Sequence, residues 1–360
     1  MKILQILYPG IGGHTSVAFS LIEGDIDATY NHLLLGYGIE NPSKGLIQKC
    51  ATDEIPLYSV KKKAGLDFAS WKQVHRYLTE IQPNVILMHS TSLILPVWWY
   101  ALTHPVSFIS IEHQSNYAKS KSDWVYTLLI QQFSPKIVYL SKTYSEEIKQ
   151  KLKFFFHNKK VSIIENGVNS LRFNKALKVN DASNVIHISM VSRMNKLRDH
   201  GTLLKGFKRF SQTRDCKLWI AGSGDTFAEV KAMSEELSIT DKVNFLGNIT
   251  EDEVITLLSK TTIYVHSSLA ETQSTSILQA MSFELPIIAT HIPGIVNILD
   301  DGEDALLFEP KNEEDLLNKL ILISSKDSIR NKIASNAYKK VMEHYNCKRM
   351  FAKYQNLISK

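Results

Sequence analysis

The chain has 360 residues, which exceeds the roughly 250–300 at which a single hydrophobic core stops growing, so we expect two domains. Hydrophobic residues make up 44% of the sequence and charged residues 22%, an ordinary globular composition that argues against a mainly disordered or fibrous protein. The 42 Lys and Arg residues against 36 Asp and Glu leave a net charge of +6. That charge suits an anionic ligand or an acidic membrane surface and is too small to indicate nucleic acid as a partner.

The cysteines and the lengths of the apolar runs indicate the cellular compartment of the protein. Cys50, Cys216 and Cys347 are scattered without a CxxC motif, which argues against a disulfide scaffold or a zinc ribbon and fits a reducing cytosol. The strongest apolar run, residues 93–102, is much shorter than the roughly 20 residues that cross a bilayer. Residues 2–8 predict a first strand rather than a secretion signal. We therefore expect a cytoplasmic protein without an integral membrane segment.

Short apolar runs rich in β-forming residues alternate with amphipathic stretches of helix length along the whole chain. This alternation is typical of parallel sheets with helices on both faces, and the number of runs favours two doubly wound α/β domains of about six strands each. The predicted strands are residues 2–8, 32–36, 85–89, 106–111, 137–140 and 161–164 in the first half, and 185–191, 218–221, 243–246, 263–266, 287–289 and 305–308 in the second.

The domain boundary is predicted shortly after the sixth strand. Residues 165–169 have turn chemistry, and the polar segment 175–184 shows no clear hydrophobic period. We expect a first domain over residues 1–170 and a second over 171–344, with a C-terminal helix at 345–360 that packs back on the first domain. Ligands bind beyond the carboxyl ends of parallel strands, so two facing sheets predict a binding cleft between the domains.

A glycine-rich turn follows the first predicted strand. Residues 9–14 (PGIGGH) precede a helix-like stretch at 16–22. Glycines allow the backbone N–H groups to approach a ligand closely, and a helix start favours an anion. A tight strand-to-helix turn without a ligand is an equally good interpretation of these residues by themselves.

A basic loop follows the predicted strand 185–191. It places Arg193, Lys196 and Arg198 within six residues, at the edge of the sheet where open α/β domains bind ligands. Guanidinium groups match phosphate oxygens bidentately and stay charged at any working pH. A single surface Arg would predict a solvated ion pair, whereas this cluster predicts a diphosphate site.

A third segment, residues 271–281 (ETQSTSILQAM), places an acidic residue before a polar loop and a helix. The backbone N–H groups of residues 272–276 would point outward at the helix start and hold sugar hydroxyls or phosphate, while Glu271 accepts hydrogen bonds from hydroxyls. In isolation such a segment is more often an ordinary helix cap.

Taken together and in order, these segments resemble the retaining glycosyltransferases of family 4, which have the GT-B fold of two facing Rossmann-like domains. The resemblance covers nearly the whole chain and is strongest in its second half. The segments that carry it are VSRMNKLRDHGTLLKGF, LWIAGSGD, VNFLGNIT and ETQSTSILQAMSFELPIIATHIPGIVNIL, preceded in the first half by IGGH, HSTS, SIEH and VSIIENGVN.

The resemblance implies a nucleotide-diphosphosugar donor that lies across the C-terminal domain. Arg193 and Arg198 would clamp the diphosphate, Glu271 would hold the donor sugar, and His113 would lie near the reacting carbon. His89, at the end of another predicted strand, is expected to be structural. The implied donor-binding residues are Gly13, Ile249, Thr272, Gln273, Ser274, Thr275 and Gln279.

Family members transfer the sugar on one face, with the donor phosphate taking the proton of the acceptor, so the resemblance implies no protein nucleophile. Two fixed cations substitute for a metal ion, and we expect neither a metal nor a cofactor. The sequence departs from the family at Arg198, where lysine is usual, and at Gln279 and Asn297, where glutamate is usual. The Gln279 amide predicts about tenfold weaker ribose binding, because hydrogen bonds to charged acceptors are stronger.

The resulting prediction is a glycosyltransferase that moves a sugar from a nucleotide donor, with UDP favoured over GDP, to a hydroxyl of a glycan or lipid-linked glycan. Relatives of this kind assemble bacterial surface polysaccharides such as O-antigen, capsule and lipopolysaccharide. One alternative is a nucleotide-sugar epimerase or hydrolase that uses Glu112, beside His113, as an acid–base group. Another is a non-catalytic binding subunit, which Gln279 and Asn297 favour.

A basic and aromatic segment lies in the first half. Residues 149–160 (KQKLKFFFHNKK), from Lys149 to Lys160, combine five lysines with three phenylalanines. Such a segment can bind an anionic bilayer, with each surface Lys contributing about 1 kcal/mol. The other interpretation is a helix whose phenylalanines face the core. Binding to an anionic bilayer would place the protein peripherally on the inner face of the cytoplasmic membrane.

Overall fold

The computed structural model describes residues 1–10, 13–179 and 185–359. Two residues of the predicted glycine turn, 11 and 12, and residues 180–184 of the predicted polar segment lie outside this range. The chain divides into two compact units. Unit 1 comprises Met1–Gly167 together with Cys347–Lys360, and unit 2 comprises Val168–Asn346.

Within the described residues, unit 1 contains one parallel sheet of seven strands in the order β3-β2-β1-β4-β5-β6-β7. The strands are β1 (Lys2–Leu7), β2 (Asn31–Gly38), β3 (Leu57–Lys61), β4 (Val85–Met88), β5 (Ser107–Glu112), β6 (Lys136–Tyr139) and β7 (Val161–Ile163).

Helices cover both faces of this sheet. They are α1 (Gly13–Gly24), α2 (Lys44–Thr52), α3 (Phe68–Ile81), α4 (Ile94–Thr103), α5 (Lys121–Phe133), α6 (Lys142–Leu152) and the C-terminal α14 (Cys347–Ile358). Local sequence explains where several of them begin. The Asp67 carboxylate caps α3, and Ser120 and Asp123 form a reciprocal capping box at the start of α5.

Strand β1 shows why the strands of unit 1 lack a polar face. Leu4 and Ile6 belong to the core formed with α3 to α6, whereas Ile3 packs with α1 and α14 on the opposite face. Because side chains alternate across a strand, burial on both sides favours a nearly continuous apolar run, which only Gln5 interrupts between Ile3 and Leu7. Gly24 permits α1 and α14 to cross closely, since a Cβ atom there would lie 2.7 Å from the Cβ of Phe351.

In the described part of unit 2, six parallel strands form a sheet in the order β10-β9-β8-β11-β12-β13. The strands are β8 (Ile186–Val191), β9 (Cys216–Ala221), β10 (Val243–Gly247), β11 (Ile263–His266), β12 (Ile287–Thr290) and β13 (Leu306–Phe308). The order reverses between β8 and β11, which is where an open α/β sheet binds its ligand.

The helices of unit 2 are α7 (His200–Phe210), α8 (Phe227–Glu236), α9 (Glu251–Ser259), α10 (Thr275–Ser282), α11 (Pro293–Val296), α12 (Glu313–Ser325) and α13 (Asp327–His344). Residues of α7, α8 and α12 share one core with β8 and β9, and residues of α9, α10, α11 and α13 share another. The sheet is therefore covered on both faces.

The prediction of two doubly wound parallel-sheet domains is confirmed. The sequence prediction missed one strand of unit 1, β3, which lies at the edge of the sheet. In LYSVK only Val60 is fully buried, because an edge strand needs fewer apolar side chains than a central one. Among the helices of the described residues, none is both long enough and apolar enough to cross a membrane.

Candidate functional site

The loop after β8 carries the predicted cations. Arg193 is exposed on this loop, and Arg198 is partly buried near its end. The loop ends where Asp199 caps α7 by accepting a hydrogen bond from the Thr202 N–H at 3.2 Å. Both guanidinium groups thus follow the carboxyl end of a central strand, as the sequence predicted for a phosphate-binding loop.

Two glycines of the neighbouring loop support the Arg193 segment. Gly222 and Gly224, which follow β9, have φ angles of +128° and +153°. Cβ atoms at these positions would overlap the carbonyl groups of Ser192 and Met194. The Met194 N–H also donates to the carbonyl of Ser223 at 2.9 Å. Only glycine allows this close approach, so the LWIAGSGD segment fixes the backbone on both sides of Arg193.

Arg198 and Glu271 form an ion pair that is largely buried. Nη2 of Arg198 lies 2.9 Å from Oε1 of Glu271, and Nε2 of His266 lies 2.9 Å from the same oxygen. Nη1 of Arg198 donates to the Ser268 hydroxyl at 3.0 Å and to the Ala270 carbonyl at 2.8 Å. These contacts hold the Arg198 side chain in one orientation against the loop that follows β11.

The ion pair sets the charge of Glu271. Burial alone would raise the pKa of this carboxyl, but the Arg198 charge and the His266 hydrogen bond outweigh burial and lower the pKa below its usual value. Glu271 is therefore ionised at neutral pH. A carboxylate accepts hydrogen bonds from hydroxyl groups, which is the chemistry that the sequence predicted for this residue.

The residues after Glu271 lead into α10. Ser274 is the N-cap, and its hydroxyl accepts from the Ile277 N–H at 3.4 Å. Thr272 and Gln273 are both buried with 8% exposure, and Thr275 is the first residue of the helix. The backbone N–H groups of this first turn lack helical partners of the ordinary kind, which makes the turn favourable for an anion or hydroxyl ligand.

The other residues of unit 2 that the sequence predicted for donor binding lie in α10 and after β10. Gln279 is buried within α10, with 7% exposure. Ile249 follows β10, is half-buried, and lines a cavity of about 210 Å³ together with Trp219, Leu246 and Leu257. The cavity lies entirely within unit 2 and is bounded by apolar and polar side chains in equal number.

Unit 1 contains the other two predicted residues, His113 and Gly13. His113 directly follows β5 and is partly exposed, and its ring stacks on His89 with a centroid distance of 5.1 Å. The His14 ring lies 4.7 Å from that of His113. Burial lowers the pKa of His113 well below its usual value, and the charges of His14 and His89 add to this effect. Gly13 begins α1, and a Cβ atom there would meet no other atom within 4 Å.

Sequence reasoning assigned no role to several residues that build this arrangement. His266 holds Glu271, and Gly294 packs against the Glu271 backbone, as described below. In the sequence, Gly222 and Gly224 stand out only as part of the LWIAGSGD segment. One signal was available for His266, since a polar side chain ends the otherwise apolar strand β11. Within residues 1–10, 13–179 and 185–359, no group of three or more His, Cys, Asp or Glu side chains is placed to bind a metal ion.

Comparison with known proteins finds one family profile that matches most of unit 2. The profile described as glycosyl transferases group 1 matches residues 173–340. N-acetyl-alpha-D-glucosaminyl L-malate synthase of Bacillus anthracis is 24% identical, over 48% of this chain and 44% of that protein. An uncharacterised glycosyltransferase of Methanocaldococcus jannaschii is 25% identical, over 56% of this chain and 55% of its own length. The chain thus spans about half the length of these curated relatives.

Solved structures match over the whole chain. Anabaena HepE in complex with UDP and glucose superposes with a TM-score of 0.84 at 16% identity, covering 100% of both chains. A glycosyltransferase from Rickettsia africae superposes with a TM-score of 0.78 at 19% identity, covering 99% of this chain and 97% of the other. At these identities the likeness concerns the fold. The chain has the GT-B fold, and its residues 173–340 match the glycosyl transferases group 1 profile.

Proposed function

We propose that this protein is a retaining glycosyltransferase that moves a sugar from a nucleotide-diphosphosugar to a hydroxyl of a glycan or lipid-linked glycan. The observation that carries the proposal is the Arg198–Glu271 pair beside the exposed Arg193, at the carboxyl ends of β8 and β11. Two cations and an ionised carboxylate match a diphosphate and a sugar. The UDP in the HepE structures supports a UDP-sugar, with a GDP-sugar as the other candidate.

In the proposed reaction, the bond between the anomeric carbon and the donor phosphate breaks while the acceptor oxygen bonds to that carbon. The acceptor proton passes to the departing diphosphate. Negative charge develops on the diphosphate, and a cation at about 4 Å supplies roughly 4 kcal/mol of Coulomb attraction at an intermediate dielectric. Arg193 and Arg198 supply this charge in place of a metal ion, and the reaction needs no nucleophile from the protein.

The epimerase alternative requires an acid–base carboxylate, and Glu112 was the candidate. Its side chain is 2% exposed, lies 3.2 Å from Nζ of Lys119 and accepts a hydrogen bond from the Thr127 hydroxyl at 3.0 Å. Burial raises the pKa of Glu112, opposed by the Lys119 charge. A carboxyl enclosed in this way cannot exchange protons with a bound sugar, so these contacts favour transfer over epimerisation. Incubating the protein with donor alone, and then with donor and acceptor, tests this distinction by product analysis.

The donor class can be tested by thermal stabilisation. We expect one of UDP, GDP, ADP and CMP to raise the unfolding temperature, with the same shift in EDTA. Arg193→Ala should lose this shift, because its cation contacts the diphosphate. Arg214→Ala is the matched control: Arg214 is an exposed arginine just before β9, at the opposite edge of the same sheet. A full shift in Arg193→Ala, or none in the wild type, would count against the proposal and favour a non-catalytic subunit.

The contact with membrane is a second part of the proposal, supported by residues 149–160. Phe154 is 95% exposed and Phe155 is 57% exposed, whereas Phe156 stacks on the buried Tyr139 at a centroid distance of 6.3 Å. Two phenylalanines thus project into solvent beside the exposed Lys151 and Lys153. Exposed aromatic rings among lysines suit the interface of an anionic bilayer, where a lipid-linked acceptor would reside.

Liposome co-sedimentation tests this surface. We expect binding to vesicles that contain anionic phosphatidylglycerol, and loss of binding in Phe154→Ser/Phe155→Ser. Leu171→Ser is the matched control, because Leu171 is an equally accessible apolar residue of unit 2 with 82% exposure. Co-sedimentation that does not depend on anionic lipid, or that survives the double substitution, would remove this part of the proposal.

A further inference from the structure

Two buried polar side chains, Gln5 and His89, are linked to His113 by hydrogen bonds. The proposed reaction does not use either of them. Gln5 lies in the middle of β1 with 0% exposure, and His89 directly follows β4 with 2% exposure. Nδ1 of His89 lies 2.9 Å from Nε2 of His113, and Nε2 of His89 lies 3.0 Å from Oε1 of Gln5. The three side chains form one continuous chain of hydrogen bonds.

The amide of Gln5 fixes the direction of this chain. Nε2 of Gln5 donates to the carbonyl of Ala18 at 3.2 Å. The reversed amide would set two acceptor oxygens against each other, so Oε1 must face His89. Because an amide oxygen only accepts hydrogen bonds, Nε2 of His89 carries a hydrogen and donates it to Gln5.

The hydrogen bond from His89 to Gln5 also determines which ring nitrogen donates between His89 and His113. Burial lowers the pKa of His89 to about 3, with a further contribution from the His14 charge, so the ring is neutral at pH 7. A neutral imidazole with its hydrogen on Nε2 has an acceptor at Nδ1. Nδ1 of His89 therefore accepts from Nε2 of His113. With that nitrogen as the donor, Nδ1 of a neutral His113 is an acceptor.

We propose that Gln5 and His89 are positioning residues that fix His113 as a hydrogen-bond acceptor, through Nδ1, for a hydroxyl of the sugar substrate. The inference rests on the proposed function, in which His113 lies near the reacting carbon of the sugar as the resemblance to family 4 implies. It goes further by assigning the direction of the hydrogen bond: His113 receives a hydrogen from a hydroxyl and does not donate one to the leaving group. Gln5, in the middle of β1, controls that direction through His89.

The test is nitrogen-15 NMR of the histidine rings in the whole protein, which requires no substrate. We expect hydrogens on Nε2 of both His89 and His113, and a scalar coupling across the hydrogen bond from Nε2 of His113 to Nδ1 of His89. Substitution of each histidine by glutamine assigns the signals. A hydrogen on Nδ1 of His113, or a doubly protonated His113 at pH 7, would overturn the proposal.

Two matched variants separate positioning from general stability. Gln5→Met removes the acceptor for His89, and we expect loss of the coupling, mixed ring tautomers and a fall of about tenfold in kcat, the effect of one neutral hydrogen bond. Gln131→Met is the control: this buried glutamine of α5 donates to the Tyr139 hydroxyl at 2.9 Å and accepts from the His157 N–H at 2.8 Å. It should lose similar stability and keep the ring signals and kcat.

An unchanged ring spectrum in Gln5→Met would overturn the positioning role. If Gln5→Met fails to fold, the wild-type coupling and its direction still decide the assignment. Failure of the proposed function is seen separately, as absence of nucleotide stabilisation, because the ring spectra are recorded on the protein without nucleotide.

Discussion

Gly294 packs directly against the backbone of Glu271. A Cβ atom on Gly294 would overlap the carbonyl oxygen of Glu271 and lie 2.9 Å from its Cβ atom. Gly294 is the second residue of the short helix α11, after Pro293. The turn that starts α11 therefore sets the position of the loop from which the ionised carboxylate projects.

We predict that Gly294→Ala displaces Glu271. The substitution should destabilise unit 2 by about 1–3 kcal/mol, the cost of overpacking, and weaken nucleotide-sugar binding. Gly201→Ala is the matched control, because Gly201 is also the second residue of a helix and its Cβ would have ordinary contacts at 3.7 Å with Met233. Thermal unfolding and calorimetric binding measure both effects. Equal behaviour of the two variants would show that the Gly294 contact is unimportant.

A second prediction concerns the Arg198–Glu271 pair. Arg198→Met leaves a buried carboxylate without its cation and should cost about 3–5 kcal/mol in the free energy of unfolding. The double variant Arg198→Met/Glu271→Leu removes both charges and should be more stable than the single variant. Urea unfolding at pH 7 measures the difference. A double variant less stable than Arg198→Met would mean that the two residues do not form the coupled pair seen here.

The glycine loop after β9 gives a third prediction. Gly224→Ala should abolish nucleotide stabilisation, because the added methyl group displaces the carbonyl of Met194 and moves the Arg193 loop. Gly302→Ala is the control: Gly302 also has a positive φ, +74°, but its Cβ would meet no atom within 4 Å. Both variants bear the conformational cost of about 1 kcal/mol, and only Gly224→Ala should lose binding. Retained binding in Gly224→Ala would contradict the supporting role of this loop.

His200 predicts a pH dependence of stability. Burial lowers its pKa from 6.5 to about 4, so the ring is neutral in the folded protein and takes up a proton more readily when unfolded. Its contribution is fully present above pH 6.5 and is lost as the pH falls through about 4. Between pH 7 and pH 4, wild type should lose roughly 3 kcal/mol more than His200→Gln.

Urea unfolding at the two pH values measures this loss, and His291→Gln, at an exposed histidine, should follow the wild type. Parallel pH profiles for wild type and His200→Gln would show that His200 is not the titrating group. Because the Ser192 hydroxyl lies 3.3 Å from Nε2 of His200, protonation should also disturb the residue before Arg193.

The fifth prediction concerns Gln279, which is buried in α10. Gln279→Glu should tighten nucleotide binding about tenfold, because a carboxylate accepts hydrogen bonds from ribose hydroxyls more strongly than an amide does. Calorimetric titration measures the affinity, and a nucleotide that lacks both ribose hydroxyls should show no gain. Equal gains for the two nucleotides would place Gln279 away from the ribose.

Much of this architecture follows from local sequence. Strands such as β4 and β13 are continuous apolar runs, and capping residues such as Asp67 and Thr250 mark where helices begin. The basic loop at Arg193 and Arg198 was predictable because charged residues directly follow a strand. The edge strand β3 was not, since it lacks the apolar run that burial on two faces imposes.

The phenylalanines of residues 149–160 show a further limit of local pattern. Three consecutive phenylalanines look alike in the sequence, yet Phe156 is partly buried against the core while Phe154 and Phe155 are exposed. Their separation depends on where α6 ends and β7 begins. A composition that fits either a core helix or a membrane surface thus becomes specific only in the folded chain.

The sequence by itself determined the two parallel-sheet domains and the loops that carry the charged residues, because hydrophobic period, turn residues and charge act over a few neighbouring positions. The tertiary structure alone decided which residues meet: His266 with Glu271, Gly294 with the same loop, and Gln5 with His89. Such pairs are brought together by the stacking of parallel strands and the helices between them. Hydrogen bonds and close contacts between such distant residues produce no repeating pattern in the sequence, so the sequence alone does not predict them.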